Sequence, residues 1–511
     1  MIKEELVYNE SKSLLQKTKH SYNIYSPAPL ENNVVRNIQI KAILTAPYVY
    51  IGIAYGEFTF CPYLKNKTTV LYDMNGNNPD TAITEYTYNS KNLISEIAES
   101  QSDETWIITK NKYVSDYSLS AFNSSCETAR NTCYNNYADS WYSYCVDSHL
   151  YGPDVCWNMW QERRAECDNT YNSCISSYSS QAGTLLGMQS RHQISSIIET
   201  QRCKESNGTT YLIEGAFIQY KDFGGDLIKP ENVFAINTNI PVVNPVLSYF
   251  NSSGNMVKMP EYESLPEITY DEYDNKGNLL QYHKNGDINI SYIWGYNRSY
   301  PVAKAVNAGC REISYTSFEE EIDWSTAVIR ADDKVKTGNY SGKYTGQGNG
   351  HECHAICPSI NFNDTSTRKF KFGAYIYSTT SQAYLGLGYW TSNGSLYAGN
   401  WTHCPQTNQW VWIEGEFELP ENVDGYPVTA VNVLVDDENG AGTIWIDNVR
   451  LYPADAQMTT YTYKPLVGLT SETDPNGITT YYEYDDFGRL KLVKDTNGDI
   501  IKMYEYNYKS H

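Results

Sequence analysis

The sequence has no run of about 18 apolar residues, so no segment reads as a membrane-spanning helix. It is short of cations, with 39 Lys+Arg against 60 Asp+Glu and a formal net charge of −21 over 511 residues. A chain of that sign repels phosphate backbones, which excludes non-specific nucleic-acid binding. The eight histidines are scattered, at 20, 149, 192, 283, 351, 354, 403 and 511. There is no G-x-S-x-G elbow, phosphate loop, H-E-x-x-H helix or dinucleotide glycine pattern. His351-Glu352-Cys353-His354 has the wrong spacing for a zinc-protease helix. Carboxylates sit largely in turns, where Asp shapes the backbone, and nothing marks a paired acid and base. The expectation is a chain that is not an enzyme. Met1-Ile2-Lys3-Glu4-Glu5-Leu6 lacks the apolar core of a signal peptide.

Apolar content is sufficient. Hydrophobic residues are 41% and charged residues 19%, which argues against bulk disorder. The length suggests about three domains. The 12 cysteines favour disulfides and an oxidising compartment. With no signal peptide in view, the chain reads as a piece of a longer exported polypeptide, secreted or held at a bacterial cell surface.

One aromatic is in excess: 47 tyrosines stand against 13 phenylalanines and 11 tryptophans. They recur in a pattern. Tyr270-Asp271-Glu272-Tyr273-Asp274-Asn275-Lys276-Gly277-Asn278-Leu279 is one copy and Tyr482-Glu483-Tyr484-Asp485-Asp486-Phe487-Gly488-Arg489-Leu490 another. Glu85-Tyr86-Thr87-Tyr88-Asn89-Ser90-Lys91-Asn92-Leu93 is a degenerate third. Alternation on both sides of a turn signal predicts β-hairpins, and repetition predicts hairpins that stack on one another.

These units resemble the YD repeats of Rhs-type proteins, of form Y-[DE]-Y-D-x-x-G-[RN]-L. The flanks Ser291–Ala303 and Thr460–Gly468 look like the Bacteroidetes branch of that family. The resemblance implies strand–turn–strand units added to a long spiralling sheet, which in large members closes into a shell around a C-terminal toxin. This chain has few repeats and lacks the family's self-cleaving core motif. Asp474-Pro475-Asn476-Gly477 reads instead as the turn before Tyr481.

The β pattern breaks over 120–180, where six cysteines fall and glycine and proline are absent until Gly152-Pro153. Ser124-x-x-Glu127 is a capping-box start, and Pro153 suits a helix first turn. Two helices are expected, about 124–148 and 153–178. In an antiparallel hairpin, facing residues share one index sum. Cys126 with Cys174 and Cys133 with Cys167 satisfy one sum, and Cys145 with Cys156 the next. The expectation is a ladder of those three disulfides; the rival, a metal cluster, lacks any close C-x-x-C pair. Trp157 and Trp160, beside the tip His149-Leu150-Tyr151-Gly152, are read either as seam filling or as a contact surface for a partner.

A second break runs from 306 to 455. Alternating segments at Ala327–Arg330, Ser341–Thr345, Lys369–Tyr377, Tyr384–Tyr389, Trp410–Phe417, Ala430–Val435 and Thr443–Leu451 suggest a sandwich. The landmarks Phe318-Glu319, Thr337-Gly338-x-Tyr340-Ser341-Gly342-Lys343, Trp412-x-Glu414-Gly415-x-Phe417 and Ile444–Leu451 resemble a carbohydrate-binding-module jelly roll. The resemblance implies a structural Ca²⁺ held by Glu319 and Asp447, with carbonyls around Lys343. Hard oxygen donors suit that ion, though a surface Glu and a turn Asp would look the same. Sugar binding needs exposed aromatic platforms, and Tyr389, Trp390, Tyr397 and Trp401 lie in the stretch that offers them. Core packing is the competing reading for each. Trp410 and Trp412 alternate with Val411, and one of that pair is expected to face the core. Cys353, Cys357 and Cys404, with His351, His354 and His403 beside them, are read as disulfides before zinc. Cys310 is a further partner, and a Cys61–Cys203 bridge is a guess.

The fold class expected is mainly β: a YD-repeat strand–turn–strand sheet with an inserted disulfide-stapled α-helical hairpin and an inserted β-sandwich (jelly roll). The segments are 1–119, 120–180, 181–305, 306–455 and 456–511, the first, third and last being repeat scaffold. The function expected is adhesion or recognition, with a glycan as ligand and other cell-envelope proteins as further partners. The alternatives are a structural shell or filament, a secretion- or motility-machine component, and the carrier segment of a polymorphic toxin.

Overall fold

The structure is a computed structural model that describes residues 4–8, 14–23, 34–43, 49–58, 63–72, 75, 77, 79–148, 151–177, 180–236, 238, 240–251, 255–320, 324–346, 353–362, 365, 367–438, 440 and 442–506. For 23, 34–43, 49–58, 120–125, 172, 175–177 and 180 this covers the backbone only. Met1, Cys61, His149, Leu150, His351, Glu352 and the side chain of Ser124 therefore lie outside the described residues. The chain divides into two compact units, 1–221 with 233–265, and 222–232 with 266–511.

The first unit is built on an antiparallel meander. Its strands are Glu4–Tyr8, Leu14–Asn23, Tyr63–Leu71, Asp80–Tyr88, Ile94–Ser100, Trp106–Tyr113, Ile197–Ser206 and Thr209–Asp222, each paired with the next. The helical insert leaves after Trp106–Tyr113 and returns at Ile197–Ser206, and those two strands pair directly. The ladder is therefore unbroken by the insertion. Fully buried Glu199 crosses the unit, accepting from Gln201 Nε2 (2.7 Å), the Tyr262 hydroxyl (2.8 Å) and the Ser248 N–H (2.5 Å). A buried carboxylate is costly unless such donors satisfy it.

The insert is a helical hairpin. One arm runs Ser120–Cys133, passes through a π-helical stretch Tyr134–Asp139, and resumes at Ser140–Ser148. The other is Pro153–Ser177. The three bridges are Cys126–Cys174, Cys133–Cys167 and Cys145–Cys156, with Cα–Cα separations of 5.6, 5.6 and 5.9 Å. Positions 133 to 145 span one residue more than 156 to 167, and the π stretch absorbs that residue. This is the physical origin of the shifted index sum. Arg164 lies over Tyr134 and Trp160, and Arg163 over Tyr137 and Trp141, so cation–π stacks accompany the bridges. Trp160 donates to Asp139 in the seam (2.7 Å), while Trp157 stays 47% exposed. A further helix, Ser180–Ser190, buries Leu185 and Met188 where β scaffold had been expected.

The second unit repeats the plan. Strands Ile268–Tyr273, Leu279–Lys284, Asn289–Gly295, Tyr300–Val306, Gln457–Lys464, Gly468–Thr473, Thr479–Tyr484, Leu490–Lys494 and Ile500–Met503 form a second meander. Tyr300–Val306 pairs with Gln457–Lys464 across the whole second insert.

The repeat turns explain the D-x-x-G signature. Asp274, Asp474, Asp485 and Asp495 each accept, through Oδ1, the N–H groups two and four residues on, at 2.8–3.0 Å. Asn89 does the same for Lys91 and Leu93. The residue three positions on is left-handed: Gly277, Gly477, Gly488, Gly498, or Asn92 in the degenerate copy.

The repeats also explain why the aromatic is tyrosine. Tyr88 donates its hydroxyl to the carbonyl of Leu64 (2.8 Å), Tyr273 to Pro230 (2.9 Å), Tyr463 to Pro301 (3.0 Å) and Tyr484 to Leu469 (2.9 Å). Each tyrosine closes its strand just before the turn and ties it to the strand before. Rings also meet across strands, as in Tyr282 on Tyr292 (6.4 Å) and Tyr300 on Tyr463 (4.8 Å).

The second insert is a two-sheet sandwich. Sheet one holds Val328–Ala331, Ser341–Thr345, Thr443–Pro453, Lys369–Ser378 and Trp410–Glu418, with Ser314–Thr316 against Thr443–Pro453. Sheet two holds the short His354–Ala355 and Ile360–Asn361, then Tyr426–Asp437, Ala383–Thr391 and Leu396–His403. Phe370, Phe372 and Ile376 from one sheet meet Leu385, Leu387, Val431 and Val433 from the other. Leu396–His403 is a strand the glycine- and asparagine-rich sequence had hidden.

Tyr484→Phe removes one strand tether and leaves the ring in place. It is expected to lower unfolding stability by about 1 kcal/mol in chemical denaturation. An unchanged midpoint would show that the hydroxyl contributes nothing.

Candidate functional site

Sheet one of the sandwich is docked on the repeat meander. Arg450 is fully buried and spends all five N–H groups. Its acceptors are Asn448 Oδ1 (3.2 Å), the carbonyls of Met458 (3.0 Å), Asp474 (2.6 Å) and Thr473 (2.9 Å), and Thr460 Oγ1 (2.7 Å). The Tyr375 hydroxyl donates to the carbonyl of Gly477 and lies 3.0 Å from Thr479 Oγ1. Trp412 lies against Gly477, whose φ of +77° and lack of a β-carbon are both needed there. Trp410 and Trp412 share this outer face, because residues two apart on a strand do, and Val411 and Ile413 pack in the core. The expectation that one of the pair faces the core is corrected accordingly.

Sheet two lies across the sandwich core from that contact. Along Ala383–Thr391, residues Ala383, Leu385, Leu387 and Tyr389 point inward, while Tyr384, Gly386, Gly388 and Trp390 point outward. Tyr389 is thus not a platform. It is 9% exposed, with its ring stacked on Tyr397 (5.8 Å) and Phe417 (6.2 Å). Tyr397 follows it inward, packed on the core, with its hydroxyl donated to Asp424 (2.8 Å). The alternation of Leu385, Leu387 and Tyr389 carried this information.

Trp390 and Trp401 are the two that reach the outer face. The Trp401 ring crosses Gly386, where a β-carbon would stand 2.7 Å from Cε3. Asn432 and Leu434 lean over Gly388 in the same way. Two depressions result. One, of about 390 Å³, is lined by Trp401, Tyr384, Ala398, Cys353, Asp436 and Glu438. The other, of about 460 Å³, is lined by Trp390, Trp324, Asn432, Ser359 and Asn361 among others. Asn432 is 2% exposed, gives Nδ2 to Ser359 (3.3 Å), and has no donor for Oδ1. The polar residues Asn432, Asp436 and Tyr384 were not anticipated. Their signal is the two glycines, which make room for neighbours on a face that would otherwise be filled.

Glu319 and Asp447 meet at one loop. Asp447 is fully buried and accepts the N–H groups of Lys336 (3.1 Å) and Thr337 (2.7 Å) and the Thr337 hydroxyl (3.1 Å). Glu319 accepts those of Asn339 (2.6 Å) and Tyr340 (2.9 Å). Left-handed Gly338 stands between. Burial pushes the Asp447 carboxyl up to about 8, with the charge of Glu319 adding to it, and burial also raises Glu319. The oxygens retain further lone pairs, so the donor set suits a hard cation. Lys343 is paired with Asp333 (2.9 Å). Among the described residues, no group of three or more His, Cys, Asp or Glu side chains is arranged for a metal. Cys203, Cys310, Cys353, Cys357 and Cys404 are free thiols, which corrects the expected bridges among them; burial comes first in raising each. Among the described residues, no helix is long and apolar enough to cross a membrane.

Three comparisons bear on the chain. Residues 467–500, which hold the turns at Asp474, Asp485 and Asp495, match the family model of the RHS Repeat. No curated protein matches. Among solved structures, a family 16 carbohydrate-binding module is similar at 17% identity and TM-score 0.19, over 25% of this chain and 89% of its own. The CBM22-1 xylan-binding domain of Paenibacillus barcinonensis Xyn10C is similar at 14% identity and TM-score 0.21, over 27% and 91%. The enzymatically active domain of tailspike protein 4 from bacteriophage CBA120 is similar at 16% identity and TM-score 0.19, over 27% and 19%.

The raised Asp447 gives a pH dependence of known sign. The folded state holds that proton to a higher pH than the unfolded chain, whose carboxyl titrates near about 3.9. The associated stability is present below that value and is lost as pH rises toward about 8. The difference in unfolding free energy between wild type and Asp447→Asn is expected to change steadily over that window. A pH-independent difference would mean the carboxyl titrates normally.

Proposed function

We propose that this is a non-enzymatic, exported or cell-surface Rhs/YD-repeat scaffold that presents the outer face of its sandwich to a glycan. The observation that supports this reading is the asymmetry of the sandwich. Sheet one is fixed to the repeat meander through Arg450, and sheet two carries Trp390 and Trp401 on its far side, with the Trp401 ring over Gly386. A tryptophan ring offers a flat apolar face to sugar C–H groups, and amide and carboxylate neighbours take the hydroxyls. The three disulfides support export, because such bridges persist in oxidising compartments.

The test is a soluble-glycan array followed by titration of the best ligand. Trp390→Ala and Trp401→Ala are each expected to weaken binding by about tenfold. Neither ring sits in the core, so thermal stability should hold. A sugar-silent array would leave the sandwich as a spacer in a shell or filament.

A structural Ca²⁺ at the Glu319–Asp447 loop belongs to the same proposal. A divalent ion would offset the charge that buried Asp447 and half-buried Glu319 bring together. Adding calcium to chelator-treated protein is expected to raise the melting temperature by a few degrees, as any ligand specific to the folded state does. Identical melting curves would remove the ion from the account.

A further inference from the structure

We infer that Gly386 and the strand opposite it form a seat for Trp401, and that Gly386 is a positioning residue for the platform of the outer face. What that platform meets rests on the glycan reading above. Gly386 lies within Ala383–Thr391 and is not left-handed, so its backbone does not ask for glycine. What excludes a side chain is the ring. A β-carbon would stand 2.7 Å from Cε3 of Trp401, 2.9 Å from Cδ2 and 3.1 Å from Cζ3. Cδ2 and Cζ3 flank Cε3 in the six-membered ring. Three nearly equal distances place the glycine beneath the ring face; at the ring edge the flanking carbons would stand almost an ångström farther off than Cε3.

The partner strand is bent to bring the ring there. Leu385 pairs with Thr402 and Leu387 with Gly399, so Gly386 faces both Asn400 and Trp401. The extra residue makes a β-bulge, a device that re-aims a side chain. Asn400 is left-handed at φ +50° and gives Nδ2 to the carbonyl of Glu416, which fixes the bend. Trp412 shows what such a ring holds. It lies over Gly373 of sheet one, and Gly477 of the repeat meander lies against it as well. Trp401 has the same glycine floor, but borders the depression of about 390 Å³ where Trp412 meets the meander. A pyranose stacked on Trp401 lies parallel to the sheet, with one C–H face down. The platform is set before the ligand arrives, which spares the cost of ordering a side chain on binding.

The experiment is a cycle of Gly386→Ala and Trp401→Ala in the full chain. It is read by melting temperature, by hydroxyl-radical footprinting of the tryptophans without ligand, and by titration of the best glycan from the array. With Trp401 present, Gly386→Ala is expected to lower the melting temperature by about 3 °C, because a methyl group is forced against the ring. In the Trp401→Ala background the same change should leave it level or raise it slightly, since alanine suits a strand better than glycine. Gly386→Ala should raise the reactivity of Trp401 about twofold as the covered face opens, leave Trp412 protected, and weaken the glycan about tenfold. The double variant should bind no worse than Trp401→Ala alone. A melting penalty equal in both backgrounds, an unchanged Trp401 footprint, or an unchanged glycan affinity in Gly386→Ala overturns the inference and leaves the glycan reading standing. An array silent for the wild-type chain overturns the glycan reading alone, and the melting cycle with the footprint then decides whether Gly386 seats the ring.

Discussion

A fully buried guanidinium fixes the second unit. Arg450 comes from the longest strand of sheet one, and four of its five acceptors come from two strands and one turn of the repeat meander. Burial works against its charge, and coulombic attraction from Asp474 and nearby tyrosines offsets part of that cost. An arginine buried this way is tolerated only when every N–H is met, so its acceptors must hold position to within hydrogen-bond distance. That requirement aligns Thr460, Thr473 and Asp474 with the sandwich. Tyr452 and Met458 then close an apolar cluster with Val302, Ala305 and Ile313. Sheet one is committed to structure by this contact.

The same economy governs both insertions. Trp106–Tyr113 pairs with Ile197–Ser206, and Tyr300–Val306 with Gln457–Lys464, as if nothing lay between them. A strand pair that survives an insertion pins both ends of the inserted domain within one ladder spacing of each other. The hairpin then needs its own staples, because two helices have little core to share, and three disulfides supply them. The sandwich has a core of its own and uses none.

Much of this was legible in the sequence, and the reasons are local. Turn chemistry is written in one residue and its neighbours, so Asp274 and Asp485 announced their hairpins. The cysteine pairing followed from the geometry of two antiparallel helices. What escaped was set by tertiary contact. The π stretch at Tyr134–Asp139 has no signature beyond the one-residue mismatch it absorbs. The inward turn of Tyr389 depends on which face of its strand meets the other sheet. The roles of Gly386, Gly388 and Gly477 depend on side chains arriving from other strands, Trp401 in the first case, Asn432 and Leu434 in the second and Trp412 in the last. The tyrosine excess was visible as a pattern, but the hydroxyl tether to the preceding strand needed coordinates.

The central claim is that the two faces of the sandwich have different roles, one docked and one receptive. Hydroxyl-radical footprinting of the tryptophans, with and without the best glycan ligand, tests it most directly. The account predicts that Trp390 and Trp401 react in the free protein and are protected by ligand, while Trp412 is protected throughout. Protection confined to Trp157 in the helical hairpin, or a Trp412 as reactive as Trp401 in the free protein, would contradict it.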